Sequence, residues 1–319
     1  MRLLIFSIAL LCSFTGQANE RVSAKVHKIC QTEYSECLKI VPDHIKNVTP
    51  HSAAWYRLTS YKLSSMLFLN HWQPLVEETR QLIQHPDLPA EFRFITYLYY
   101  AKANLYNGDE ATGEEYLNKT KALFDQFNSS ISNPMHLVRY GNILLYEAHR
   151  AKQYEQKDVY LPKYRDAKIT LLKVRDNFYH YNNPKFQMEL YTNLGHTSQI
   201  VDKNYKTVEF FSKALFWSKQ TANKQQIGVT HYNLARSYQL TEQYKRASDE
   251  FIKAKRMFID SQDIVAVHDT NLMLIEINQK LSNSELVASL IREVQLALDK
   301  NELSHYQAKW FLRLMQRTG

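Results

Sequence analysis

The chain has 319 residues, a formal net charge of +8 and only seven glycines. Glycines so few and so scattered argue strongly against the phosphate-cradling loops, nucleophile elbows and doubly wound sheets of nucleotide enzymes and α/β hydrolases. The positive charge is spread without a basic block, so it reads as a mildly basic helical surface, and the export expected from the N-terminal segment makes nucleic acid a poor candidate partner.

In chain order, Arg2, the apolar run Leu3–Leu11 and the small residues Gly16 and Ala18 form the pattern of a secretory leader cleaved after Ala18. The run is too short to stay in a bilayer, and no later stretch approaches the length of a transmembrane segment. Leu11 is bulky where attachment of a lipid at Cys12 would need a small residue. The leader is of bacterial type, so the expected location is the periplasm or the exterior. The remaining chain of about 300 residues is long for one core but natural for a solenoid, whose repeats touch only their neighbours.

Residues 19–48 are expected to form an N-terminal cap carrying Cys30 and Cys37. An oxidising compartment favours a disulfide between two such cysteines. On an unbroken helix their separation corresponds to a rise of about 10.5 Å, beyond the roughly 7 Å limit between bonded cysteine α-carbons. Either the segment 31–36 bends and the bond forms, or the thiols stay apart on one helix face. The bent, bonded form is the expectation; zinc binding with His27 and His44 matches no common ligand spacing.

The solenoid is expected over residues 49–300. A first hairpin runs through 51–69 and 75–85, with Pro74 in the first turn of its second helix. A second joins 90–106 to 110–127 through the turn Asn107-Gly108-Asp109. A third pairs 135–154 with 162–178 across an enlarged turn, after a polar connector at 128–134. The fourth (184–221), fifth (225–260) and sixth (263–300) follow, and a final helix over 302–317 caps the stack. The run from Phe92 to Tyr100 is apolar on every helix face. Two readings stay open for it, a tyrosine-rich patch for protein or glycan recognition, or an unusually aromatic core.

The fifth hairpin carries Leu234, Ala235, Tyr238, Tyr244, Ala247, Phe251 and Ala254 as its apolar skeleton. Small Ala235 and Ala247 mark where two helices approach closely, and Thr241-Glu242-Gln243 interrupts the periodicity. Forty residues earlier stand Tyr191, Asn193, Leu194, Gly195, Phe211 and Ala214 in the same arrangement. This helix–turn–helix pattern resembles the tetratricopeptide repeat (TPR) family at every usual anchor position except the closing proline. The resemblance implies an all-α, right-handed TPR-like solenoid of about six hairpins. The period of about 40 residues is similar to that of extended repeats in bacterial periplasmic and sensory TPR proteins. Such a resemblance speaks to fold far more than to function.

In a TPR stack the first helix of each hairpin lines a concave groove. Periodicity places Thr192, Asn193, His196 and Gln199 on that face, followed one repeat later by Tyr232, Asn233, Arg236 and Gln239, with Asn142 at the equivalent point of the third hairpin. In TPRs that bind peptides, an asparagine at this position grips the ligand main chain, because an amide both donates and accepts. Asparagine is unfavourable inside a helix, so its recurrence needs a reason. That reason is either a ligand-binding ladder or bonding to a neighbouring repeat or water.

No HExxH pair, Cys/His cluster or defensible carboxylate pair is present, so no catalytic residue, metal or cofactor is expected. The expected function is that of an exported, non-enzymatic binding or scaffold protein that takes a peptide or protein in its groove. It would serve as an adaptor or ligand-sensing subunit of an envelope signalling complex, with a membrane-anchored signalling protein as one candidate partner. The alternative is an envelope assembly factor that binds peptidoglycan or its enzymes.

Overall fold

The computed structural model describes residues 22–127, 134–154, 157–202 and 206–316, and the regular structure among them is entirely α-helical. The leader, Cys12 and most of the 128–134 connector lie outside the described residues. The chain divides into two compact units between Gly113 and Glu114.

The first unit contains α1 (Ala24–Thr32), α2 (Tyr34–Lys46), α3 (Ala53–Phe68), α4 (Trp72–Ile83) and α5 (Ala90–Tyr106). Between α1 and α2 the backbone leaves the helical region at Glu33 (φ −131°, ψ 75°). That bend brings the α-carbons of Cys30 and Cys37 to 4.7 Å, and the two sulfurs are bonded. Both cysteines are buried in one apolar cluster with Val26, Val41 and Leu58, so the bridge is part of the cap's core. In α5, Phe92, Phe94, Leu98, Tyr99 and Tyr100 are all buried. The aromatic run is therefore core, and no exposed tyrosine patch forms along it. The Tyr99 hydroxyl meets Ser64 Oγ at 3.1 Å, which satisfies its polar end within the core.

Helix α6 (Glu110–Phe127) crosses into the second unit. There follow α7 (Pro134–Tyr154), α8 (Lys157–Asn177), α9 (Pro184–Val201), α10 (Thr207–Thr221), α11 (Lys224–Leu240), α12 (Tyr244–Asp260), α13 (Ile264–Lys280), α14 (Ser284–Asp299) and α15 (His305–Gln316). They pair as hairpins α7–α8, α9–α10, α11–α12 and α13–α14. The third hairpin departs from its sequence expectation. Its enlarged turn is mostly helix, because α7 and α8 are each 21 residues long. Pro162 thus lies inside α8, where it has no N–H to donate back to the preceding turn.

Local signals repeat with the packing. The first helices α9, α11 and α13 open on Asn183, Asn223 and Asp263, whose side chains accept from Phe186, Gln226 and Ala266 N–H respectively. Each such cap satisfies one otherwise orphaned helix donor and contributes about 1 kcal/mol. At the turns Glu242, Gln262, Ser282 and Asn301 adopt left-handed backbone. The next N–H in each case bonds back across the turn, as in Gln243 to the Tyr238 carbonyl at 2.8 Å. This is the closure that usually employs glycine, and its use of other residues explains how a glycine-poor chain still turns sharply. Glycine is kept for close approach: a Cβ on Gly195 would stand 2.5 Å from the fully buried Phe211 ring.

Helix α15 begins three residues after the expected start of the capping helix. Gln307 Nε2 donates to the Val265 carbonyl and to Asp269 Oδ1. Phe311 and Leu314 enter the same core cluster as Leu272 and Leu274 of α13.

Candidate functional site

The candidate groove residues lie on α9 and α11, and their positions follow from hairpin register. Gly195 packs against Phe211, and Gly141 against Leu171. Counted from the hairpin midpoint that each pair defines, Tyr146 stands at the register of Asn193 and Asn233. Asn142 sits one helical turn further from the turn and does not join them. By the same count His149 shares its register with His196 and Arg236. The forty-residue period continues these two rows and that of Gln199 and Gln239 onto α13, where Met273 follows Asn233, Glu276 follows Arg236 and Gln279 follows Gln239.

These rows behave differently. Arg236 Nη1 lies 3.3 Å from Met273 Sδ, and Gln239 Nε2 lies 3.4 Å from Glu276 Oε1. Both side chains reach from one repeat to the next. The asparagines do not. Asn193 is buried, at 7% exposure, and its Nδ2 has no hydrogen-bond partner among the described residues. Asn233 is half-buried. Thr192 and Tyr232 precede them and are also half-buried; Tyr232 packs edge-on against Phe251 at 5.1 Å. Further along, Gln239 Oε1 and Gln279 Nε2 are buried without partners among the described residues.

His196 packs edge-on against Phe211, with ring centroids 5.2 Å apart, and faces His149 of α7 at 6.4 Å. Burial first, and the neighbouring His149 second, lower its pKa to about 4, against the opposing effect of a hydrogen bond with Gln199. At neutral pH it is an uncharged imidazole, able to donate or accept but not to pair with an anion. Burial likewise raises the Tyr232 phenol to about 12, which keeps it a neutral hydroxyl. His149, Tyr146, Met273, Glu276 and Gln279 were not singled out from the sequence. The last three were accessible through the forty-residue period alone; the first two required the actual register of α7 on α8.

Among the described residues no group of three or more His, Cys, Asp or Glu side chains could hold a metal ion. No helix among them is long and apolar enough to cross a membrane.

No protein-family model matches the sequence, and no curated protein matches it. Solved structures do share its fold. A Rap protein complexed with Competence and Sporulation Factor has a TM-score of 0.58 at 9% identity, covering 90% of this chain and 75% of that one. A signal-transduction ATPase of the STAND class with a tetratricopeptide repeat sensor, from Pyrococcus horikoshii, has a TM-score of 0.55 at 16% identity. That match covers 86% of this chain but only 41% of the ATPase. BtubC from P. vanneervenii has a TM-score of 0.52 at 15% identity, over 75% of this chain and 92% of that one. The fold of this chain is the all-α, TPR-like fold of repeated helical hairpins.

Proposed function

We propose that the chain is an exported binding protein whose first-helix face takes an extended segment of a peptide or protein partner, with Asn233 and Asn193 holding its main chain. The observation that carries this reading is a division of labour. Arg236 and Gln239 bond to the next repeat, whereas the Asn193 amide nitrogen has no partner among the described residues and Asn233 is half-buried on the same face. Bonding between repeats therefore does not account for the asparagines. An amide matches the alternating donors and acceptors of a peptide main chain. A solved structure with the same fold holds Competence and Sporulation Factor, and another is a signal-transduction ATPase with a tetratricopeptide repeat sensor, which favours a sensing or adaptor role for this chain. The buried disulfide suits an oxidising compartment, in keeping with the leader-like N-terminus.

The test is a selection of displayed peptides on the full chain, followed by affinity and melting measurements on Asn193→Ala, Asn233→Ala and the double variant. Each substitution should cost about 0.5–1.5 kcal/mol of affinity with little loss of stability, alanine being the better helix former. Lower melting temperatures with unaltered affinity would show instead that the amides serve the fold.

A further inference from the structure

A cavity of about 470 Å³ opens between α6, α7 and α8, away from the asparagines of α9 and α11. Its walls carry five charged side chains. Lys121 Nζ of α6 meets Glu147 Oε1 of α7 at 2.7 Å, and Arg150 of α7 pairs with Glu114 of α6. The signs are exchanged between the two helices, so these four charges cancel. All four side chains are only about one-third exposed, which shields them from the solvent screening that weakens surface pairs. The fifth is Lys163, near the start of α8. It lines the same cavity, is exposed and has no carboxylate partner among the described residues.

Bridging α6 to α7 needs only the two pairs. Lys163 adds nothing to that bridge and leaves the wall with one uncompensated positive charge. The Asn118 side chain, on the α6 wall of the same cavity, offers a neutral donor. A space of this size falls within the range of small-ligand sites.

We propose that this cavity binds an organic carboxylate, with Lys163 as its counter-ion and Asn118 as a second donor. A singly charged carboxylate balances the wall. A phosphate dianion would bring a second negative charge close to Glu114 and Glu147 with no cation to meet it, so the site discriminates against phosphate. The carboxylate can come from a free organic acid or from an acidic side chain of a bound peptide. The site is independent of the asparagine reading, because none of its walls comes from α9 or α11.

The experiment titrates the full chain by calorimetry with four probes: N-acetyl amino acids, their uncharged amides, phenyl phosphate, and a capped hexapeptide with one internal glutamate. The carboxylate probes should bind saturably, and the amides and phenyl phosphate should bind at least about tenfold more weakly. Lys163→Ala should weaken carboxylate binding about tenfold, Lys163→Glu should abolish it, and Lys163→Arg should retain it. The unliganded melting temperature should stay unchanged, since Lys163 is exposed and has no ion-pair partner among the described residues. Tighter binding of the free acid or of the hexapeptide supports the site and identifies the source. The proposal is overturned if neither carboxylate probe binds, if the amides or phosphate bind equally well, or if Lys163→Glu binds as the unaltered chain does.

Discussion

His231 Nδ1 lies 2.5 Å from Glu250 Oε2 inside the α11–α12 hairpin, and Lys253 reaches the other oxygen of the same carboxylate at 2.6 Å. Glu250 is thus a half-buried acid held between two donors, one across the hairpin and one on its own helix.

Burial by itself pushes the Glu250 carboxyl up, but hydrogen bonds from His231 and Lys253 outweigh it and hold the group below its ordinary value. A carboxyl depressed on folding contributes stability above its unfolded pKa, about 4.3, and that contribution disappears as pH falls through the lower folded value. Glu250→Gln should therefore cost about 1–3 kcal/mol at neutral pH. The gap to the unaltered chain should narrow below about pH 4. Urea unfolding at a neutral and an acidic pH measures both; a gap that widens in acid would contradict the assignment.

The half-buried His196 imidazole has a consequence of the same sign, at higher pH, on the other clear hairpin. Its pKa is lowered to about 4 on folding, so between about 6.5 and that value the unfolded chain binds the extra proton. Stability should fall as pH drops through this window, by at most about 3 kcal/mol from this group. In His196→Gln the fall over the same window should be smaller. Parallel melting curves for the two proteins across the window would mean that His196 does not bear the shift.

Glu242 is exposed and carries a left-handed backbone with φ of 59°, which is costly for any side chain with a Cβ. Glu242→Gly should stabilise the chain by about 1 kcal/mol, the relief at the turn exceeding glycine's greater freedom when unfolded. Chemical denaturation would reveal the sign directly.

The Cys30–Cys37 bridge closes a short loop, so its stabilisation should be about 2–3 kcal/mol at most. Reduction should expose the amides of α1 and α2 to hydrogen exchange while those of α11 and α12 stay protected, because the cap's cluster belongs to the first unit alone. Equal loss of protection in α11 and α12 would mean that the bridge supports more than the cap.

The sequence by itself determined the class of fold and the two central hairpins. Packing within a helical hairpin is local, so Ala235, Ala247 and Phe251 leave a periodic record that the chain repeats forty residues apart. It also carried the cysteine question to two alternatives. The choice between them came from the bend at Glu33, which tertiary burial of both cysteines against Leu58 accompanies. Other features were decided only by tertiary structure. Asn142 falls out of the asparagine row because α7 and α8 are lengthened and set their own register. In the aromatic run of α5, Phe92, Phe94, Leu98, Tyr99 and Tyr100 are buried and Ile95 and Tyr97 half-buried, a division that no periodicity can announce. Lys121 and Glu147 meet from different helices, and the positive charge left on Lys163 is visible only once the neighbouring charges are paired. Local periodicity encodes which face of a helix is apolar; which distant side chains share that face's surroundings depends on how helices stack.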